Sequence, residues 1–318
     1  MQTIHKTVLL KETIEALNLK NGAVVIDATL GGGGHSKAVI EKIGENGKLI
    51  AFDQDINAIK RFEKQMKSGS IGISKTEIFL INKNFSNLKD GLASLGFESV
   101  DAILADLGIS SDQLADVDRG ISFVGDAPLD MRMDIEGNLT AETIVNDYSQ
   151  EKLLEILREL GEEKNANSIV RKIVAEREQK RITRTSELVL IIESAVPGFY
   201  KRKKLHPATK TFQALRMEVN KELDSLRSFL FQAIEILKPG GRLAIISFHS
   251  GEDSLVKSFF RENARGCICP PEFPQCRCDN KASVKILTRK AIVASEEELE
   301  ENPRARSAKL RVVEKILG

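Results

Sequence analysis

Hydrophobic positions in the first hundred residues form short apolar runs, separated by segments in which apolar residues recur with helical spacing. Four of these runs predict strands, at residues 23–27, 48–53, 77–82 and 100–106. Three intervening segments predict helices, near residues 36–43, 55–66 and 88–95. Because strands that alternate with helices are typical of a parallel sheet covered by helices, we expect an α/β fold.

This alternation stops after residue 110. The next hundred residues predict helices instead, at residues 140–146, 150–160, 165–177 and 186–195. Strand and helix patterns then return, with a long helix at 218–237, a strand at 242–248, a helix at 252–263 and a terminal strand at 308–314. We therefore expect an α/β domain made of residues 1–110 and 211–318, with a mainly helical domain of residues 111–210 inserted into it.

Composition narrows the class of protein. The 318 residues carry 47 basic and 46 acidic side chains, a net charge of +1, which argues against a uniformly basic nucleic-acid coat protein. The longest aliphatic run, residues 188–192, is far shorter than the roughly 20 residues of a membrane span. Lys6, Lys11, Glu12 and Glu15 interrupt any signal-peptide core. We expect a cytoplasmic protein without a membrane segment.

Positive charge is concentrated locally. Residues 171–216 contain 12 basic and four acidic side chains, and four of the basic residues are consecutive: Lys201, Arg202, Lys203 and Lys204. A second basic group follows near the end of the chain: Arg304, Arg306, Lys309 and Arg311. Such groups indicate either a solvated helical face or a surface that contacts a polyanion such as RNA.

A glycine-rich loop joins the first predicted strand to its helix. Residues 31–34 are all glycine, which permits a tight turn and a close approach of the backbone to a ligand. Asp53 is the last residue of the next predicted strand, where its carboxylate is placed to accept hydrogen bonds from ribose hydroxyls. Enzymes that use NAD and enzymes that use S-adenosylmethionine share this pattern, and a purely structural glycine turn is the third interpretation.

Three features favour S-adenosylmethionine. The first strand ends in Asp27, which would repel a pyrophosphate but suits a cationic cofactor. The fourth strand ends in Asp106, at the edge where the reactive end of the ligand should lie. The turn at residues 238–243, Lys-Pro-Gly-Gly-Arg-Leu, is common in methyltransferases of this class. The pattern therefore predicts methyl transfer rather than hydride transfer.

Longer strings make the resemblance specific. The sequence closely resembles the bacterial MraW (RsmH) family of small-subunit ribosomal RNA cytosine-N4 methyltransferases. Matching strings run through nearly the whole chain, at residues 5–12, 31–36, 106–111, 126–134, 206–216, 246–250 and 302–307. The resemblance implies a Rossmann-like class I S-adenosylmethionine-dependent fold and methylation of the exocyclic amine of one cytidine in the decoding region. The implied partner is the small-subunit (16S) RNA or the assembled small subunit.

Cofactor contacts follow from the same resemblance. It implies that seven residues contact the cofactor: Gly33, Gly34, His35, Asp53, Phe85, Asp106 and Gln113. For three of them the residue type alone allows a structural role. His35 would then cap the following helix, Phe85 would belong to the hydrophobic core, and Gln113 would be a solvated loop residue.

Catalysis by such an enzyme must hold a weakly nucleophilic amine in line with the transferred methyl group. We assign this role to the carboxylate of Asp106 and the neighbouring backbone of residues 107–108, which accept hydrogen bonds from the amine. Phe248 and His249 either support the target base or form ordinary core contacts. Arg132 pairs either with an RNA phosphate or with Asp130 or Asp134.

All four cysteines of the chain lie within 12 residues: Cys267, Cys269, Cys276 and Cys278. Two Cys-x-Cys pairs offer four thiolates to a tetrahedral Zn²⁺ ion, although a reduced surface loop or a local disulfide would leave the same pattern. The chemistry proposed for Asp106 requires no metal. Two other functions stay open on the residues alone, namely an NAD-dependent oxidoreductase and a non-catalytic RNA-binding assembly factor.

Overall fold

A computed structural model describes residues 6–69, 75–110, 113–114, 116–123, 125–201, 205–267, 269–270, 273, 275–278 and 280–316. The chain divides into two compact units. Residues 1–108 and 223–318 form the first unit, and residues 109–222 form the second. The helix at residues 209–219 therefore lies in the second unit, whereas the sequence assigns residues 211 onward to the α/β domain.

The first unit is built on a sheet. Its described strands are β1 (Val24–Asp27), β2 (Lys48–Phe52), β3 (Glu77–Ile81), β4 (Val100–Asp106), β5 (Leu237–Ser247), β6 (Val284–Ile286) and β7 (Lys309–Lys315). They are ordered β3-β2-β1-β4-β5-β7-β6. Strands β1 to β5 run parallel, and β7 pairs antiparallel with both β5 and β6. The sheet is Rossmann-like, as the sequence predicts, and the antiparallel direction of strand β7, which the sequence does not predict, makes it a mixed sheet.

Helices connect and follow these strands. In chain order they are α1 (Leu10–Leu17), α2 (Gly34–Ile43), α3 (Ile56–Lys67), α4 (Leu88–Ser94), α5 (Ala141–Asp147), α6 (Gln150–Glu159), α7 (Ala166–Arg177), α8 (Thr185–Ala195), α9 (Gly198–Lys201), α10 (Thr209–Val219), α11 (Glu222–Ile236), α12 (Ser250–Asn263) and α13 (Glu296–Glu301). In the described part of the chain, none is both long and apolar enough to cross a bilayer.

Alternating side chains of the strands enter two separate cores, one on each face of the sheet. Val25 and Leu49 pack with residues of α1, α2 and α3, whereas their neighbours Ile26 and Ile50 pack with residues of α4, α11 and α12. Successive strand residues point to opposite faces, so strands that are apolar throughout require cover on both sides. Burial on both faces fixes the parallel strands and brings the carboxyl ends of β1, β2 and β4 to one edge.

The second unit has its own helical core. Leu153 of α6, Ile169 of α7, Leu188 of α8 and Leu215 of α10 are all buried within it. Side-chain caps define two helix starts, because Thr140 accepts a hydrogen bond from the backbone of Thr143 and Ser149 accepts one from Lys152. Each of α5 to α8 lies within one residue of the helix that the sequence predicts.

One predicted helix is wrong. The pattern over residues 218–237 predicts a continuous helix, but α10 ends at Val219 and α11 begins at Glu222. Lys221 has a left-handed φ of 48°. The side chain of Asn220 fixes the break, because its amide donates to the carbonyl of Met131 and accepts from the backbone N–H of Met133. Strand β5 also starts earlier than predicted, at Leu237, with a register shift before Arg242.

Candidate active site

Carboxylates end three neighbouring strands of the sheet. Asp27 is the last residue of β1, Asp53 directly follows β2, and Asp106 is the last residue of β4. Because β2, β1 and β4 are adjacent and parallel, their carboxyl ends meet at the same edge. This edge is where open α/β sheets bind their ligands.

The glycine loop after β1 is shaped by its contacts with the protein. Gly33 has φ 78°, and a Cβ atom there would lie 2.5 Å from the ring of Phe62. A Cβ atom on Gly34 would lie 1.7 Å from Oγ1 of Thr7. These glycines are therefore required by the packing of the loop, a reason that differs from the ligand approach predicted from the sequence.

Asp27 is an internal anchor of this loop. Its Oδ2 accepts a 2.6 Å hydrogen bond from the hydroxyl of Ser36, and its Oδ1 accepts one of 3.1 Å from the backbone N–H of Thr29. The side chain is buried, and this burial raises the pKa of Asp27 to about 6. Asp27 thus contributes negative charge beneath the loop rather than an exposed ligand contact.

Asp53 links the second strand to the loop. Its Oδ2 accepts a 2.8 Å hydrogen bond from the backbone N–H of Gly31, and its Oδ1 accepts one of 2.8 Å from Asp55. Burial raises the pKa of Asp53 to about 6. Each carboxylate oxygen can accept a second hydrogen bond, so the residue retains acceptor capacity for ribose hydroxyls.

Asp106 differs from both. Its Oδ1 is buried and makes no hydrogen bond within the described residues, while its Oδ2 lies 3.7 Å from Nδ1 of His35. The backbone N–H of Asp106 donates to Oγ1 of Thr29 at 2.6 Å, which holds the end of β4 against the loop. Burial raises the pKa of Asp106 well above its usual range, and repulsion from Asp27 and Glu252 raises it further.

These residues fit a cationic ligand. Three acidic side chains with pKa values raised by burial share one edge, so a positive charge bound there would favour their ionised forms. Oδ1 of Asp106 offers a buried acceptor at the same edge that no described residue satisfies. The sulfonium and ammonium groups of S-adenosylmethionine match this environment, whereas the pyrophosphate of NAD does not.

Comparison with known proteins identifies the family of this chain. A model of the MraW methylase family matches residues 2–316. The chain belongs to the MraW methylase family. As a member of this family it is an S-adenosylmethionine-dependent methyltransferase, and the oxidoreductase alternative is set aside.

Full-length relatives carry a more specific name. The chain is 50% identical over 316 residues to "Ribosomal RNA small subunit methyltransferase H" of Acetivibrio thermocellus, covering 99% of this chain and 100% of that protein. It is 48% identical over 318 residues to the protein of the same name from Finegoldia magna, covering 100% of both. An rRNA methylase structure from Streptococcus thermophilus has a TM-score of 0.41 and 13% identity, covering 97% of this chain and 94% of that one. At that level the structural match says nothing about activity.

The three remaining residues predicted to contact the cofactor, His35, Phe85 and Gln113, each contact a different part of the protein. His35 lies inside α2, whose N-cap is Gly33, so it faces Asp106 rather than capping the helix. Phe85 packs edge-to-face on Phe229, with ring centroids 5.2 Å apart. Gln113 lies in the second unit, where its Oε1 accepts from the backbone N–H of Ser110 at 3.0 Å. Cofactor contact by Phe85 and Gln113 stays a prediction.

Phe248 and His249 directly follow β5. The backbone N–H of Phe248 donates to Oε2 of Glu252 at 2.9 Å, and Nδ1 of His249 accepts from the backbone N–H of Glu252 at 3.3 Å. His249 is therefore the N-cap of α12, in a reciprocal capping box with Glu252. Sequence reasoning missed Glu252, although its position three residues after the cap is the usual signal for such a partner.

Arg132 is engaged within the protein. Its Nε and Nη2 donate to the two carboxylate oxygens of Asp130, at 2.8 and 2.6 Å. Its Nη1 donates to the carbonyls of Ile135 and Gly137. The pairing with Asp130 that the sequence allows is therefore present, and contact of Arg132 with an RNA phosphate stays a prediction.

Of the 12 basic residues in the segment 171–216, two that the structure describes pair with acids distant in sequence. Arg181 pairs with Glu142 and Asp147, and Arg184 pairs with Asp126. Lys201 is exposed at the end of α9, whereas Arg202, Lys203 and Lys204 lie outside the described residues. In the second basic group, Lys309 and Arg311 both pair with Asp253, and Arg304 and Arg306 are exposed.

Proposed function

We propose that this methyltransferase modifies the exocyclic N4 amine of one cytidine in the decoding region of small-subunit ribosomal RNA. The observation that carries the proposal is Oδ1 of Asp106, which lies buried at the carboxyl edge of the sheet and accepts no hydrogen bond from any described residue. The small-subunit substrate is supported by the name that these relatives share, and the cytidine amine by the resemblance of nearly the whole chain to the family.

Cofactor binding would use the loop and the first two acids. Asp53 accepts a hydrogen bond from the backbone of Gly31 through Oδ2, and its remaining lone pairs accept hydrogen bonds from the ribose hydroxyls. Asp27 keeps the loop in shape through Ser36 and adds negative charge beneath the cationic cofactor. When bound, S-adenosylmethionine supplies a methyl group on a sulfonium sulfur, which is a good leaving group.

Asp106 would act on the nucleophile. Its Oδ1 accepts a hydrogen bond from the cytosine amine, which orients the nitrogen lone pair and favours its pyramidal form. Methylation leaves one excess proton on the nitrogen, and Oδ1 of Asp106 takes it up. The raised pKa of Asp106 suits it to this step, because it accepts a proton more readily than an exposed carboxylate.

The target cytidine must leave its stack to reach this edge. Phe248 is only partly buried, and its ring lies 3.6 Å from the position of a Cβ atom on Gly108, immediately after Asp106. We assign to Phe248 the support of the extruded base. The second unit, which the chain enters directly after Gly108, would bind the surrounding RNA as a substrate-recognition domain.

Transfer of tritium from methyl-labelled S-adenosylmethionine tests the proposal. Naked 16S RNA and assembled small subunits would be offered separately, and the labelled nucleosides separated after digestion. We expect label in N4-methylcytidine with at least one of these substrates, and much less with Asp106→Asn. Label in another nucleoside, or none with either substrate in a protein that binds the cofactor, would reject the proposed substrate.

A further inference from the structure

The loop between α12 and β6 brings all four cysteines of the chain together. Their sulfur atoms lie within 4.8 Å of one another, and none of the four cysteines forms a disulfide bond. Sγ of Cys276 lies 3.5 Å from Sγ of both Cys267 and Cys278, and the last two are 3.8 Å apart. The two Cys-x-Cys pairs therefore fold back on each other, as a four-ligand site requires.

The separations among the sulfur atoms of Cys267, Cys276 and Cys278 match a tetrahedral thiolate site. Zinc–sulfur bonds of about 2.3 Å in a tetrahedron place the sulfur atoms about 3.8 Å apart. Disulfide bonds need sulfur atoms about 2.05 Å apart, so the arrangement differs from two local disulfides. The backbone N–H of Arg277 also donates to Sγ of Cys269 at 3.2 Å, a contact that stabilises negative charge on a coordinating sulfur.

Hydrogen bonds among the described residues also tie this loop together at its base. Asn280 closes its base by donating to the carbonyls of Arg265 and Gly266, at 2.8 and 3.1 Å. Beyond the base, the described residues of the loop are exposed or half-buried, including Phe273, which is 47% exposed. A loop of this kind buries too little apolar surface to order itself, and a metal ion commonly replaces the missing core.

We propose that Cys267, Cys269, Cys276 and Cys278 bind one structural Zn²⁺ ion. The ion joins the two halves of the loop and so positions Phe273 and Arg277, whose guanidinium lies 5.8 Å from the centre of the Phe273 ring. Four protein ligands complete a tetrahedral site, which is the arrangement of structural rather than catalytic zinc. The proposal is independent of the methyl-transfer reaction.

Metal analysis of the purified full-length protein tests the site directly. Under reducing conditions without added metal, we expect about one zinc ion per chain. Cys276→Ser removes one ligand and should lower the zinc affinity by more than about 100-fold, since losing an outer-shell partner alone costs 10–100-fold. Gln275→Ser is the matched control, because this exposed neighbour is not a ligand and the variant should keep its zinc.

Two further measurements use the wild-type protein and therefore do not depend on the folding of the cysteine variant. Cobalt(II) added to the wild-type protein after zinc removal should give the absorption bands of tetrahedral thiolate coordination. Chelation of the wild-type protein should increase trypsin cleavage after Arg277, and added zinc should reverse it. Reduced protein that takes up neither zinc nor cobalt, unchanged zinc in Cys276→Ser, or an intact mass showing two disulfides would each overturn the proposal.

Discussion

Oδ2 of Asp53 accepts a 2.8 Å hydrogen bond from the backbone N–H of Gly31, so the acid that follows β2 holds the glycine loop that follows β1. The two residues are 22 positions apart in the chain. The same carboxylate therefore shapes the loop and offers acceptors to the cofactor. A variant at this position tests both roles.

Asp53→Ala should weaken S-adenosylmethionine binding by about 1.5–3 kcal/mol, the usual contribution of hydrogen bonds to a charged acceptor. Calorimetric titration of the folded variant measures this change. Asp90→Ala removes an exposed acid of α4 and should leave the affinity unchanged. An Asp53→Ala protein that is folded and binds as tightly as wild type would remove Asp53 from the site.

Asp106→Ala should lower the rate of methylation rather than the affinity for RNA. Its proposed hydrogen bond strengthens as the amine develops positive charge, so we expect kcat to fall by about 10²–10³-fold. Single-turnover methylation with excess enzyme separates this effect from binding, which is measured by filter retention of the RNA. Equal losses in rate and affinity would contradict the assigned role, and wild-type turnover would exclude it.

Cofactor binding should release protons near pH 6. The pKa values of Asp27 and Asp53 are raised to about 6, and burial raises that of Asp106 as well, so these groups hold protons that exposed carboxyls would have lost. A bound cation favours the ionised forms, so affinity should increase as the pH rises from 5 to 7. Calorimetry in two buffers with different ionisation enthalpies measures the released protons. Asp53→Asn should release fewer, and affinity that is constant over this range would contradict the prediction.

Gly33→Ala should lower the stability of the protein by more than the left-handed backbone angle alone would. Gly33→Ala places a Cβ atom 2.5 Å from Phe62 at φ 78°, whereas Gly96→Ala has φ 77° with nothing within 4 Å. The left-handed angle costs about 1–2 kcal/mol at either site, and the clash should add about 1–3 kcal/mol at Gly33. Urea denaturation of both variants measures the difference. Equal losses of stability would show that the loop yields to the extra methyl group.

Sequence patterns predict most of the sheet because its strands are apolar on both faces. Strand β4 begins and ends at the predicted residues, and the acids at the strand ends follow from the parallel order. Strand β6 was missed because only three residues form it at the edge of the sheet, with Lys285 exposed. Helix α1 was also missed. It begins after Leu9, which has a left-handed φ of 50° and a side chain that cannot cap a helix, so the sequence contains no signal for its start.

The chemistry of the site was less predictable than its position. A strand-end acid is visible in the sequence, but the partner of each oxygen is not, because the partners come from other elements. Both oxygens of Asp27 are occupied by Thr29 and Ser36, whereas Oδ1 of Asp106 makes no hydrogen bond among the described residues. Local charge counts omit such partners for a similar reason, since Arg184 pairs with Asp126, 58 residues away.

Changing the four consecutive basic residues Lys201, Arg202, Lys203 and Lys204 to glutamine should weaken RNA binding and flatten its salt dependence. Each lost phosphate contact reduces the slope of log K against log salt by about 0.7–0.9, so four contacts would remove about three units. Arg181 and Arg184 already pair with acids, which leaves this run as the main candidate in residues 171–216. Binding measured across a salt titration, with cofactor affinity measured in parallel, tests the prediction.

A matched control separates phosphate contact from the change in total charge. Four exposed lysines of α2 and α3 in the first unit can be changed to glutamine together: Lys42, Lys60, Lys64 and Lys67. Both variants lose four positive charges, so long-range attraction falls similarly in each, whereas only direct contacts release counterions from the RNA. A flatter slope in the Lys201–Lys204 variant alone therefore locates the RNA on the second unit. If both variants keep the wild-type slope, the run is a solvated face, and the exposed Arg304 and Arg306 become the residues to change next.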